Sequence, residues 1–574
     1  MKLLLLFLAL AAGMPQDEYL SAALKLSGAG TPEELSESEI ERYDALSSNP
    51  LRINLCPRSK LLASGLFSTY QVASLCDYIA STGDILSVTE LGTINGFSPE
   101  LAEALSHFVS FESHAPPGMR HPSRTRQDLM LRTGAKDGLS AFAGKYHLDF
   151  GEKAEFYASA RNTWSEAAFG LKSLSACYYG KRGWSLAAGD FNARLGQGLL
   201  VWSGFSMSGI PSVAAMRRSA TGFSPTGSFT PGFRGLAVTA TPGRWNLAAA
   251  FSALDDKALI ATAGYTGNSF NLGLNAVATH DAHGLSADWQ FATGSFGCFG
   301  EAAVSEKRGE SAIDRGGAVI AGLQWAPAYK TKFIVSARYY PEGYFGDFAG
   351  AVRSGSKVSD EAGLSFGGLY RFINLTFDSA VHPRKLQDGK KNSRSMKMVL
   401  DASPEWKLHG WTFCPALRWA DRVQLSYAGN EWLQDWRHDI RFDLGASGGP
   451  FSAKVRLNAV HLEKSGWLGF AELGYKTPGD SAAFALSAFL RAECYDTPDW
   501  DTRIYCYERD VPGSFNVPAC YGQGYGVSAI VGLKKRRIAG ASHSLYLRAS
   551  LSEAMHGGSA VRHCEFKLQY QLRL

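Results

Sequence analysis

From about residue 128 to the last position, apolar residues recur at every second place, and no helical repeat interrupts them for about 450 residues. At the C-terminus Phe566, Leu568, Tyr570, Leu572 and Leu574 alternate with Glu565, Lys567, Gln569, Gln571 and Arg573. The same dyad sets Ala154, Phe156, Ala158 and Ala160 against Lys153, Glu155, Tyr157 and Arg161, and Phe270, Leu272 and Leu274 against Asn271, Gly273 and Asn275. It returns at Phe451, Ala453, Val455 and Leu457 against Ser452, Lys454 and Arg456, and at Leu545, Leu547 and Ala549 against Tyr546, Arg548 and Ser550. A period of two places each class of side chain on its own face of a strand.

A soluble sandwich also alternates, but single soluble all-β domains end at about 200–250 residues. The length of the run therefore predicts a mainly β fold, a large transmembrane antiparallel β-barrel with its apolar face outward and its ionised face enclosed. A soluble solenoid or paired sandwich is the alternative. At about 20 residues per strand and turn the barrel has about 22 strands, within an even range of about 16–26. The 61 glycines, against about 40 at usual frequency, and the 12% aromatic content fit turns and aromatic girdles. After the N-terminus no apolar run reaches the roughly 18 residues of a spanning helix, which excludes a helical membrane protein.

The N-terminus is organised differently. Lys2 followed by the apolar block Leu3–Ala12, with small Ala11 and Gly13, reads as a secretory signal peptide over residues 1–13. Residues 14–111 have helical spacing. Thr31-Pro32-Glu33-Glu34 reads as an N-cap, a proline and an acidic first turn, Ser68-Thr69-Tyr70-Gln71 and Ser87-Val88-Thr89-Glu90 as capping boxes, and Ser98-Pro99-Glu100 as a further cap. Residues 14–52 form an N-terminal helical segment and 112–127 a Pro/Arg linker, with the barrel from 128 to 574. From Met14 to Phe111 there are five Lys and Arg against thirteen Asp and Glu, a net charge of −8, and residues 112–574 carry +12.

Ile53-Asn54-Leu55, Gly65-Leu66-Phe67-Ser68, Asp77-Tyr78-Ile79 with Gly83, Ser87-Val88-Thr89-Glu90-Leu91 and Gly96-Phe97-Ser98 resemble a tandem helix-hairpin-helix module over 53–111. The resemblance is to the kind found in bacterial competence DNA receptors. It implies a periplasmic domain whose hairpins, Gly65, Leu66, Phe67, Ser68 and Gly96, Phe97, Ser98, contact a phosphate or a partner. In the DNA-binding versions a second glycine lets the backbone approach a phosphate; Phe67 and Ser98 stand there instead. Only Arg58 and Lys60 are basic in this segment, and nonspecific DNA affinity comes mainly from Lys and Arg. A docking or scaffold role with periplasmic or outer-membrane proteins is the leading expectation, and DNA binding or uptake an alternative.

The whole arrangement is similar to a family of Gram-negative outer-membrane proteins that fuse such a module to a large barrel. Gly189-Asp190-Phe191, Leu195-Gly196-Gln197-Gly198-Leu199 and Asp510-Val511-Pro512-Gly513-Ser514-Phe515 look like its signature segments. The resemblance implies residence in the outer membrane among its lipids.

The run Trp202–Gly232 is punctuated by glycines and prolines around Arg217-Arg218. It reads either as a loop folded into the lumen, where two guanidinium groups favour anions in a diffusion channel or transporter, or as an exposed outer loop. Two basic clusters, Lys390-Lys391-Asn392-Ser393-Arg394 near Arg384 and Lys385, and Lys534-Lys535-Arg536-Arg537, read as segments between strands. They are suited to anionic lipid headgroups, the acidic module or nucleic acid, or are plain solvated turns. Gly196-Gln197-Gly198 lacks the Lys-Ser/Thr of a phosphate loop. Nine cysteines without a CxxC pair predict no metal site, and Cys494, Cys506 and Cys520 leave room for one local disulfide. No G-x-S-x-G or H-E-x-x-H is present, so no catalytic residue, cofactor or enzyme activity is expected.

Overall fold

The computed structural model describes residues 15–574 except 114–124, 167, 181, 205–208, 255–256, 309–312, 384–390, 429–430, 479–483, 539 and 557–558. The signal peptide, most of the Pro/Arg linker, Arg384, Lys385 and Lys390 lie outside the described residues.

Twenty-four antiparallel strands close into one barrel. The first, Thr125–Lys136, pairs with the last, Ser559–Arg573, in the register Leu129↔Leu572. Gln127 and Leu574 exchange two backbone hydrogen bonds of 3.2 and 2.9 Å at this seam. The strand number falls within the predicted range but exceeds 22, because many hairpins turn on only two residues, as at Asp137-Gly138, Gly294-Ser295 and Gly449-Pro450. The first strand also begins earlier than expected: Thr125, Arg126 and Gln127 belong to it.

The burial pattern reverses that of a soluble protein. Along Trp245–Ser252, Trp245, Leu247, Ala249 and Phe251 are exposed, whereas Asn246, Ala248, Ala250 and Ser252 are buried. Leu274 is 64% exposed and its neighbour Asn275 is 4% exposed. In the last strand Phe566 and Leu574 face out while Gln569 and Gln571 are buried. Such a surface is stable in hydrocarbon, where the closed ladder also satisfies every strand's backbone. Beside the short turns, outward aromatics meet in a row: Trp245–Tyr265 with ring centroids 5.1 Å apart, Phe270–Phe291 at 6.1 Å, Phe296–Trp325 at 6.0 Å and Trp325–Phe333 at 5.7 Å. Aromatic girdles of this kind mark a bilayer interface.

The two rims differ. One carries short turns and both ends of the barrel; the opposite rim carries three long loops, 195–232, 341–360 and 498–521. On the short-turn side stand, among the described residues, six helices: α1 (Pro15–Ser27), α2 (Glu37–Ser48), α3 (Arg58–Ala63), α4 (Thr69–Thr82), α5 (Val88–Leu91) and α6 (Pro99–Leu105). Ser68 caps α4 in a full capping box, Ser87 and Ser98 accept from Glu90 N and Leu101 N, and Pro99 opens α6. Thr31-Pro32-Glu33-Glu34 starts no α-helix; Pro32–Glu34 is a single 3₁₀ turn, and Ser36 with Glu39 forms the box that starts α2. Ile53, Phe67, Val72, Leu75, Ile85 and Leu91 form one core, and Ala22, Ala23, Tyr43, Ala104 and Phe108 join α1 and α2 to α6.

The outward face makes a direct prediction. Leu274→Arg, in mid-strand, costs about 2–4 kcal/mol of folding into liposomes in a denaturant titration; an unchanged midpoint would contradict the assignment of this face to lipid.

Candidate functional site

The inner wall is rich in arginine, and the acidic edge of the helical domain meets it. Glu33 Oε1 accepts from Arg456 Nη1 at 2.6 Å and from Tyr507 N at 3.0 Å, and Glu33 Oε2 accepts from Arg441 Nη1 at 3.2 Å. Glu34 accepts from Arg418 Nη2 at 2.9 Å. Glu37 takes both its bonds from Arg161 at 3.0 Å, and Glu41 lies 2.7 Å from Lys145 Nζ. Arg418, Arg441 and Arg456 belong to Trp411–Ala428, Glu431–Gly448 and Phe451–His461; Lys145 and Arg161 belong to Leu139–Phe150 and Ala154–Arg161. Around the closed order these two stretches of wall are several strands apart by either route, so one short acidic edge bridges separate sides of the lumen.

A second anchor has the opposite polarity. Lys60 Nζ is 2.8 Å from Asp149, 3.1 Å from Glu155 and 3.6 Å from Glu152, and Arg52 also pairs with Glu152. At the rim Arg58 donates to Gly243 O at 2.6 Å, Tyr70 to Asn268 O at 2.8 Å, and Lys330 N to Glu100.

These pairs are unequal. Burial works to raise the Glu33 carboxyl, but Arg456, Arg441 and the Tyr507 N–H outweigh it and hold Glu33 well below the usual carboxylate range. Burial pushes Glu41 up against the pull of Lys145, and it raises Asp44 too. Burial also opposes the charge on Lys60, yet Glu155 and Asp149 hold its ammonium above the usual lysine range.

From the other rim the loops enter. Ser212 Oγ donates to Gly28 O at 2.5 Å, Val213 N to Asn374 Oδ1 at 3.3 Å, and Thr376 Oγ1 to Ile210 O at 3.1 Å, so the 195–232 loop crosses inside the barrel and touches α1's end. It meets the 341–360 loop through Trp202 N to Phe348 O at 2.8 Å and Tyr344 Oη to Leu199 O at 2.8 Å. Arg217 and Arg218 lie in this inward loop, over the rings of Phe299 and Trp202 at 5.6 and 5.3 Å. Burial pushes both guanidinium groups down to about 10, which leaves them charged at neutral pH.

The signature segments are anchors of these loops. Asp190 is fully buried and binds Arg234 at 2.7 Å and Leu174 N at 2.6 Å. The Gly196-Gln197-Gly198 turn cradles a carboxyl group of the chain's own: Gln197 N and Leu199 N donate to Glu301 Oε2 at 2.7 and 3.0 Å. Gly196 has φ +55, and a Cβ there would stand 2.6 Å from the Glu301 carboxyl carbon, so the turn requires glycine. Asp510 binds Lys567 Nζ at 2.5 Å, and Pro512 O accepts from Arg132 and Gln569 at 3.1 and 2.9 Å.

The hairpins are already engaged. Gly65 O accepts from Arg42 at 3.0 Å; Ser68 and Gln71 cap each other; Gly96 O accepts from Gln71 at 3.0 Å; Ser98 caps Leu101. Phe67 and Phe97 are buried in the helical core, whereas Leu66 is packed against it.

Two further readings need correction. The basic clusters are not segments between strands: Lys391 and Arg394 belong to Lys391–Ala402, and Lys534, Lys535, Arg536 and Arg537 to Gly522–Ile538. A strong β pattern carried these strands through the charges. Lys535 Nζ stands 4.7 Å from the outward Phe484 ring, where a long stem keeps its ammonium at the interface. No disulfide joins Cys494, Cys506 and Cys520; Cys494 is exposed, and the other two are buried as free thiols. The acidic edge Glu33, Glu34, Glu37 and Glu41 was missed as a site, although the −8 and +12 charge split was its signal.

The chain matches no protein-family model and no curated protein. Among solved structures it is similar to the translocation pore of the P pilus usher PapC, with a TM-score of 0.38 and 10% identity over 78% of this chain and 99% of that one. It is also similar to OccK5 (OpdH) of Pseudomonas aeruginosa, with a TM-score of 0.30 and 10% identity over 78% of this chain and 98% of that one.

The unequal anchors predict unequal variants. Glu33→Gln leaves Arg456 and Arg441 with Asp443 as their remaining carboxylate and loosens the domain by about 1.5–3 kcal/mol, read as faster hydrogen exchange in α2; Glu41→Gln leaves that exchange unchanged or slower. Because Glu33 is depressed, its contribution is whole above about pH 4.5 and disappears only as pH falls through its lower folded value. Equal protection in both variants would contradict this ranking.

Proposed function

We propose that the chain is a non-enzymatic integral outer-membrane β-barrel whose N-terminal helical domain is a docking module seated in the barrel's own lumen, closing a conduit. The observation that carries this reading is the acidic edge of Glu33, Glu34, Glu37 and Glu41 paired with arginine and lysine on separate stretches of the inner wall. The apolar outward face and aromatic rim support membrane residence. α4 to α6 leave Asp77, Leu86 and Glu103 exposed on the domain, open to a periplasmic or outer-membrane protein that would draw the domain out.

The helix-hairpin-helix resemblance is reused here for contact with protein. Ser68 and Ser98 oxygens and the amides at the following helix starts bind one another, and the first hairpin lies against the lumen loop, with Ser224 Oγ 3.6 Å from where a Gly65 Cβ would be. Neither hairpin offers phosphate a bare row of amides. The full chain in detergent gives no mobility shift of duplex DNA at low salt; a shift that weakens steeply with added salt would revive the uptake reading.

Planar-bilayer recording tests the conduit. The unmodified full chain stays closed or flickers at low conductance, and the double variant Glu33→Arg with Glu34→Arg opens large, long-lived steps. Equal large conductance in both contradicts the lumen-seated domain.

A further inference from the structure

Across three neighbouring strands of the inner wall, like charges stand directly opposite one another. Lys397 of Lys391–Ala402 faces Arg422 of Trp411–Ala428, and Arg422 faces Arg437 of Glu431–Gly448. One level nearer the short-turn rim, Arg418 faces Arg441, and Arg456 stands on the next strand. All six point inward, because Met396, Leu417, Ile440 and Leu457, which alternate with them, are exposed on the outer face. Arg418 and Arg422 are four residues apart on one strand, which separates the two rungs by about 13 Å. Like charges directly opposite in a sheet are destabilising, so ring closure alone does not account for this ladder.

The rungs differ in what meets them. Glu34 lies 2.9 Å from Arg418, and Glu33 lies 3.2 Å from Arg441 and 2.6 Å from Arg456, so the helical domain fills the lower rung. The upper rung lies between two inward loops. A Cβ on Gly209 would stand 2.8 Å from Lys397 Cδ, Arg437 Nη2 donates to Arg503 O at 2.9 Å, and Arg422 between them is exposed. The wall supplies carboxylates too: Asp401 is 3.2 Å from Arg418, Asp439 3.7 Å from Arg437 and Asp443 2.6 Å from Arg456. On the four strands, among the described residues, Asp401, Asp435, Asp439 and Asp443 face inward against seven Lys and Arg. Cations are in excess before the domain leaves, and the excess grows when Glu33 and Glu34 go with it. Departure also bares Asp149, Glu152 and Glu155 near the short turns, but with them Lys145 and Arg161. Residues 112–574 together carry +12.

We propose that the opened conduit selects soluble anions along this ladder, and that Glu33 and Glu34 occupy its lower rung in the closed state in place of the solute. The proposal rests on the reading of the domain as seated in the lumen. A narrow aqueous path lined by one excess charge concentrates the opposite ion, and rings of arginine and lysine favour anions in pores. The upper rung stays clear of domain carboxylates in the closed state, so it meets anions entering from the long-loop rim.

Reversal potentials in a potassium chloride gradient test this on full-length protein in planar bilayers, with folding checked by heat-modifiable migration. The brief openings of the unmodified chain and the long steps of Glu33→Arg with Glu34→Arg are expected to favour chloride over potassium by at least about threefold. Adding Lys397→Gln and Arg422→Gln to the open variant at least halves that ratio, and Arg315→Gln on the outer face leaves it unchanged. Openings without selectivity, or selective for potassium, overturn the proposal and leave the gating difference standing, as does an equal effect of Arg315→Gln and the ladder pair. Equal large conductance in the unmodified chain and the open variant defeats the lumen-seated reading instead.

Discussion

A strand edge cannot be left open in hydrocarbon, because its N–H and C=O groups find no water there. The pairing of Thr125–Lys136 with Ser559–Arg573 removes that edge, and every other feature follows from closing the ring. Closure fixes which side chains face out, since a period of two assigns each residue to lipid or lumen. It also encloses a wide interior that receives ionised strand residues such as Arg338, Arg456 and Arg548.

That interior sets the next problem. Charged groups such as Arg338, Arg456 and Arg548 are almost fully buried, and a buried charge is tolerated only when paired and hydrogen-bonded. Arg338 is met by Glu361 at 2.5 Å and by Asp378 at 2.7 Å within the wall and its loop. Arg548 is met by Glu508 at 2.5 Å, brought in by the 498–521 loop. Arg456 is shared between Asp443 of the neighbouring strand and Glu33 of the helical domain. Loops and domain are thus parts of one solution: they bring counter-charge into the interior from both rims. The helical domain's acidity and the barrel's basicity are two halves of the same interface.

The sequence made the barrel legible because alternation is local. Leu274 and Asn275 declare their faces by position alone, and the caps Ser68, Ser87 and Ser98 declare helix starts in the same way. The anchors were not legible, since Glu33 and Arg456 are brought together by closure of the whole ring and not by spacing. Gly196-Gln197-Gly198 lacks the lysine of a phosphate loop, and nothing local says that its amides meet the carboxyl of Glu301, far along the chain. Lys534 to Arg537 misled in the other direction, because a run of charge reads as a turn when the strand's register with Ala541–His556 is unknown.

In the native membrane the acidic edge of the helical domain is expected to lie against the inner wall. Placing a photo-reactive amino acid at position 37 in intact cells, and mapping the adduct by mass spectrometry, tests it most directly. An adduct within the same chain on Ala154–Arg161, where Arg161 holds Glu37, is the expected result. Adducts confined to other proteins, with none on that strand, would contradict it.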